Sequence, residues 1–95
     1  MRTSIVFEDA AALRELAGEL GQHLKIASKA LGVRITQRGD QVDIRGQDRS
    51  VDLAAGVMGQ LYEVARTGYH LHPVDVDQAC RIVAAQPDVR LVELY

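Results

Sequence analysis

Two glycines three residues apart, Gly18 and Gly21, interrupt a run that is helical in pattern on both sides. They constrain this chain more than any other feature. Ahead of them Leu13, Leu16, Ala17 and Leu20 recur at i, i+3, i+4 and i+7, the stripe of an amphipathic helix with Asp9 placed as its N-cap. Behind them Leu24, Ala27 and Leu31 mark the buried face of a second helix, which Gly32 terminates. Two short helices joined this tightly need backbone conformations that residues with a Cβ rarely adopt. The tetrad Gly18-Glu19-Leu20-Gly21 supplies them, and its bare backbone lets another backbone come close. The helix opening at Gln22 then aims free N–H groups and a positive dipole end at the same space, a setting suited to phosphate.

The rest of the chain completes one small α+β unit. Thr3 to Phe7 is β-branched and aromatic and reads as a strand. Val33 and Ile35 alternate with Arg34 and Thr36, and Val42 and Ile44 with Asp43 and Arg45, around a tight turn at Gly39-Asp40. The apolar members of this hairpin share one face and the charged members the other, so helices are expected to cover it on one side only. A long helix follows, capped by Asp48 or Ser50, with a stripe of Val51, Ala54, Ala55, Met58, Leu61, Tyr62 and Ala65 closed by Gly68. Pro73 and Asp75 start a further helix with Val76, Ala79, Cys80 and Val83 on one face, and Pro87 ends it. Val89 to Tyr95 alternates weakly and reads as an extended tail. The expected order is βααββα plus an additional C-terminal helix, with a three-stranded antiparallel sheet covered on one face by helices.

A chain of 95 residues supports one domain with a modest core. The apolar runs are too short for a membrane span, and Ile5-Val6-Phe7 is too short for a signal-peptide core. The single Cys80 excludes an intramolecular disulfide and fits a reducing cytoplasm, the expected location. The net charge of −2 hides an uneven distribution. Residues 22–49 carry six basic side chains (Lys25, Lys29, Arg34, Arg38, Arg45, Arg49) against three acidic ones, whereas the flanking segments are acidic. The positive segment begins immediately after the tetrad. Lys25 and Lys29 lie at i and i+4 on one helix face, where both can reach a phosphate track that starts at the loop. Glu19 within the loop and Glu15 one turn earlier oppose such binding and predict that it is weak.

Other candidates are weaker. A second tetrad, Gly56-Val57-Met58-Gly59, falls inside a continuous helical stripe and reads as small residues in a helix. His70 and His72 sit two apart without further ligands at a metal-site spacing, and Cys80 on an apolar helix face reads as an inert buried thiol. No phosphate-cradling GxxxxGK[ST] loop is present, and no carboxylate pair or Ser/His/Asp set stands out, so no enzymatic activity and no cofactor are expected. Phe7, Tyr62, Tyr69 and Tyr95 all lie outside residues 8–61, which counts against readers that stack bases on a sheet.

A helix, a GXXG loop, a second helix and a hairpin resemble the KH domain of type I, which grips single-stranded nucleic acid at that loop and reads bases with aliphatic side chains. The run from Ile5 to Leu71 further resembles the N-terminal region of PhoH-like proteins, a bacterial family of P-loop ATPases. The similar pieces are Leu16-Ala17-Gly18, Leu24, Leu31-Gly32-Val33-Arg34-Ile35, Arg38-Gly39-Asp40, Val42-Asp43-Ile44-Arg45-Gly46 and Leu61-Tyr62, with Val74-Asp75-Val76 and Ala79 in the next helix. This resemblance implies a KH-like domain over residues 1–71, then a C-terminal helix and tail over 72–95 leading toward an ATPase domain absent from the chain. It also implies a cytoplasmic role with single-stranded RNA, ribosomal RNA included, and with the parent's P-loop ATPase domain as partners. ATP binding carries over to no residue here. On this reading Gly18, Glu19, Leu20 and Gly21 form the RNA-binding loop. Lys25, Lys29 and Arg34 contact phosphates, and Leu24 and Ile35 line the base groove. The alternative is a protein-interaction or homo-oligomerisation module of the same ATPase that binds no nucleic acid.

Overall fold

Alternation of β-branched and polar residues sets the sheet. In the computed structural model, which describes residues 1–95, β1 (Arg2–Val6), β2 (Arg34–Arg38) and β3 (Gln41–Arg45) form an antiparallel sheet in the order β1-β3-β2. The register sets Thr3 and Ile35 beside Ile44, and Ile5 and Gln37 beside Val42. Val42 and Ile44 are fully buried, so this face meets the helices as the apolar alternation predicts. The opposite face carries three cross-strand rows: Arg2–Arg45–Arg34, Ser4–Asp43–Thr36 and Val6–Gln41–Arg38.

Four helices lie on the covered side: α1 (Ala10–Ala17), α2 (Gln22–Leu31), α3 (Asp48–Arg66) and α4 (Pro73–Ala85). Asp9 caps α1 by accepting a hydrogen bond from the Ala12 N–H at 3.0 Å, and its own N–H donates to the Tyr62 hydroxyl on α3 at 2.9 Å. The Phe7 and Tyr62 rings lie 4.4 Å apart and close that corner. Ser28 ties α2 to the sheet, donating to the Leu24 carbonyl at 2.8 Å and accepting from the Ile35 N–H at 3.1 Å. The core of 23 buried residues takes in Leu71, Val76, Val83 and Leu91, so residues 72–95 share it with the rest of the chain. No helix is long and apolar enough to cross a membrane.

The structure corrects three expectations. Leu20 does not extend the stripe of α1: the helix ends at Ala17, and Leu20 is 90% exposed at a loop tip. Neither Asp48 nor Ser50 caps α3. Gln47 is the N-cap, no side chain makes the cap bond, and Asp48 sits in the first turn at the positive end of the dipole. The extended tail is instead a docked segment with a 3₁₀ turn at Leu91–Glu93. Leu91 is fully buried, its N–H donates to Gln60 Oε1 at 2.8 Å, and the Tyr95 hydroxyl donates to the Asp75 carbonyl at 2.9 Å.

Candidate nucleic-acid interface

The reversal between α1 and α2 uses three departures from ordinary backbone within four residues. Gly18 has φ 75° and ψ 172°, a region open in practice only to glycine. A Cβ there would also stand 2.6 Å from the His23 ring. His23 is buried beneath the loop, and its Nδ1–H donates to the Glu15 carbonyl at 3.0 Å, which fixes the tautomer. Gly21, at φ 72°, is the N-cap of α2 and leaves that helix end without a side-chain cap. Between the two glycines, Leu20 adopts a left-handed conformation (φ 55°, ψ 27°) that costs a β-carbon-bearing residue about 1 kcal/mol. A strained, fully presented aliphatic tip contributes nothing to the core.

Three concavities surround this geometry. A cleft of about 330 Å³ opens between Gly18 and Gly21 on one side and Gln37, Gly39 and Asp40 of the hairpin on the other. A second, of about 520 Å³, lies on the other flank of the loop, where all three histidines meet Glu15 and Glu19. A shallow groove of about 440 Å³ runs between α2 and β2, walled by Lys25, Lys29, Arg34 and Ile35. The structure therefore brings Lys25, Lys29, Arg34 and Ile35 together, but on a concavity separate from the loop glycines. Leu24, 5% exposed, gives its side chain to the core and offers almost nothing to a base. Ile35 is also buried, at 8%, and contributes only one edge to the groove wall.

Charge divides in the same way. The two clefts beside the loop hold Glu8, Glu15, Glu19 and Asp40 against Arg14, whereas the α2–β2 groove holds three cations and no acid. Glu15 is less of an obstacle than its sequence position suggests. Its carboxylate accepts from the Leu71 N–H at 3.2 Å and meets His70 Nδ1 at 3.0 Å, tying the segment before α4 to α1. His72 and Asp75 are likewise engaged in opening α4, the His72 N–H donating to Asp75 Oδ2 at 2.9 Å. Cys80 is buried, and burial first, then the Asp77 carboxylate, pushes its thiol up to about 11, so it holds its proton.

Sequence reasoning missed Arg14, the one cation that reaches both clefts beside the loop. Its spacing of four before Gly18, in the last turn of α1, was an available signal. It also missed Asp43, which alternation assigns to the solvent face. There its side chain is 8% exposed, accepting from Ser4 Oγ at 2.6 Å and Gln41 Nε2 at 2.8 Å. Those two hydrogen bonds, with the Arg2 and Arg38 guanidiniums behind them, outweigh burial and hold its carboxyl below the usual aspartate value.

No protein-family model matches the sequence, and no curated protein is similar to it. Among solved structures the fold is similar to that of a protein of unknown function from Aeropyrum pernix, with a TM-score of 0.57 at 14% identity. The match covers 99% of this chain and 55% of that one, so the chain spans about half the length of that protein. At this identity the likeness concerns the fold alone.

Proposed function

We propose that this chain is a KH-like domain that binds single-stranded RNA weakly. The observation that carries this reading is the loop from Gly18 to Gly21: positive in φ at Gly18, Leu20 and Gly21, exposed at its tip, and followed by a helix end that no side chain caps. The element order and the antiparallel sheet agree with the type I arrangement. Because acids crowd the loop, the phosphates are held mainly by Lys25, Lys29 and Arg34, with Arg14 nearest the glycines. In a PhoH-like parent, the domain positions RNA, ribosomal RNA included, for the attached P-loop ATPase. A second reading, an interaction module, draws on the exposed Leu20 tip, which suits a protein partner as well as a base.

A titration of labelled single-stranded RNA against salt tests the proposal. With about three phosphates neutralised, log K falls with log salt at a slope of about −2. Glu19→Lys removes the loop's carboxylate and should raise affinity several-fold. The double variant Glu19→Asp with Leu20→Asp keeps both glycines and the fold, and should lose binding. Wild-type binding that is indifferent to Glu19→Lys would move the site away from the loop. No binding at low salt would replace the RNA reading with the interaction module.

A further inference from the structure

The cross-strand register aligns three arginines, Arg2, Arg45 and Arg34, side by side on the open face of the sheet. Neighbouring strands bring directly opposed residues to about 4.5–5.5 Å between Cα atoms, so all three fall within about 10 Å. Like charges directly opposed across strands destabilise a sheet, and this row has two such pairs in succession. No carboxylate in the row offsets them. Arg34 and Arg45 form no ion pair at all. Arg38 lies on the same face two rows away, and Arg2 and Arg38 approach Asp43 Oδ2 only at 3.8 and 3.7 Å, beyond hydrogen-bond range. Asp43 itself is recessed, and its Oδ1 is occupied by Ser4 and Gln41. The face thus presents four guanidiniums against a single carboxylate, which faces two of them and neither Arg34 nor Arg45.

We propose that this open face is a second surface for single-stranded RNA, which takes the phosphate backbone along the row Arg2–Arg45–Arg34. It lies on the side of the sheet away from the helices and stands on geometry separate from the loop; only the choice of RNA as the polyanion rests on the reading above. Three features favour a phosphate chain over other partners. Guanidinium forks match phosphate oxygens two by two, and a row of them matches a repeating anion. The face has no aromatic residue on which a base could stack. Its one large apolar side chain, Val6, stands at the far end of the face from the row Arg2–Arg45–Arg34, so the apolar centre of a protein interface is missing. Arg34 also walls the α2–β2 groove, so a strand leaving that groove crosses the β2 edge and continues onto the row.

The test uses a labelled 20-nucleotide oligouridylate and two charge-removing pairs: Arg2→Gln with Arg45→Gln on the sheet, and Lys25→Gln with Lys29→Gln on α2. A 20-nucleotide strand that spans both surfaces neutralises about six phosphates, for a slope of log K against log salt of about −4 in place of about −2 for the groove alone. Each phosphate no longer neutralised flattens it by about 0.7, so each pair should flatten it by about 1.4, additively when combined. Arg45→Gln alone should leave the thermal midpoint unchanged or raised, since it removes opposed like charges and breaks no ion pair, whereas the sheet pair also gives up the attraction between Arg2 and Asp43. If that pair unfolds the protein, Arg45→Gln alone carries the test, with a flattening of about 0.7. An unchanged slope and affinity in the sheet pair, alongside a loss in the α2 pair, overturns this inference and leaves the groove intact. A loss confined to the sheet pair supports the inference and overturns the groove. Displacement of the RNA from the sheet face by polyglutamate at equal charge concentration would assign the surface to an acidic protein instead.

Discussion

At the scale of single residues, the loop separates two kinds of backbone demand. Gly18 is required twice over, by its conformation and by the His23 ring beneath it. Gly18→Ala should therefore cost about 2–4 kcal/mol in a urea unfolding curve, combining a forbidden backbone region with an overpacked neighbour. Leu20 presents the opposite case. It is 90% exposed and left-handed, so Leu20→Gly relieves strain and gives up no buried surface. Its effect should lie between none and about 1 kcal/mol of stabilisation, because glycine also loosens the unfolded chain. A large destabilisation at Leu20 would show that the tip is packed after all. Asp43 adds a pH dependence whose sign follows from its lowered carboxyl value. A carboxyl held below the usual 3.8 stabilises the fold at every pH above that value, and the contribution vanishes as pH falls through the lowered one. Thermal melts in acid should show that loss in the wild type and a smaller one in Asp43→Asn, which starts from lower stability at neutral pH.

At the scale of elements, what could be read in advance followed from local periodicity. Alternation around Gly39-Asp40 placed the hairpin with its correct buried face, because Val42 and Ile44 leave only one register that hides them both. The helices announced themselves through their stripes, and Gly32 ended α2 as its position suggested. The C-terminal segment was illegible because nothing local specifies it. Leu91 is buried against the core and Gln60 of α3 satisfies its N–H, and that complementarity exists only after α3 has packed. The glycine tetrad was legible, but its separation from the lysines was not, since that depends on how far along α2 the hairpin edge crosses. A measurable consequence attaches to the docked segment. Leu91→Ala should cost about 2–5 kcal/mol, like other large-to-small changes at fully buried sites, and the loss should appear as a lower urea midpoint. A cost below about 0.5 kcal/mol, the scale of a surface change, would mean that the segment stays undocked in solution.

Across the whole molecule, the cations divide by whether an acid answers them. At the C-terminal end of α3, on α4 and on the C-terminal segment they are paired: Arg66 with Asp9 and Glu63, Arg81 with Asp77 at 3.2 Å, Arg90 with Glu93 at 3.5 Å. Arg2 and Arg38 share the one carboxylate of Asp43, at 3.8 and 3.7 Å, whereas Lys25, Lys29, Arg34 and Arg45 on α2, β2 and β3 stand alone, as do Arg14 and Arg49 elsewhere. A net charge of −2 therefore conceals a molecule in which four of the six unpaired cations lie on α2, β2 and β3. Such an arrangement contributes nothing to folding, where the repulsion is unfavourable, and becomes favourable only when an anion arrives. RNA affinity should accordingly follow which cation is lost, with total charge the lesser influence. Lys25→Glu with Lys29→Glu and Arg81→Glu with Arg90→Glu change the net charge by the same amount. The first pair should abolish binding at about 0.15 M salt. The second breaks two surface ion pairs of small worth on distant elements, and should shift affinity less than about threefold through the screened long-range field alone. Equal losses from the two pairs would mean that overall charge governs binding, and that no defined surface on this domain holds the strand.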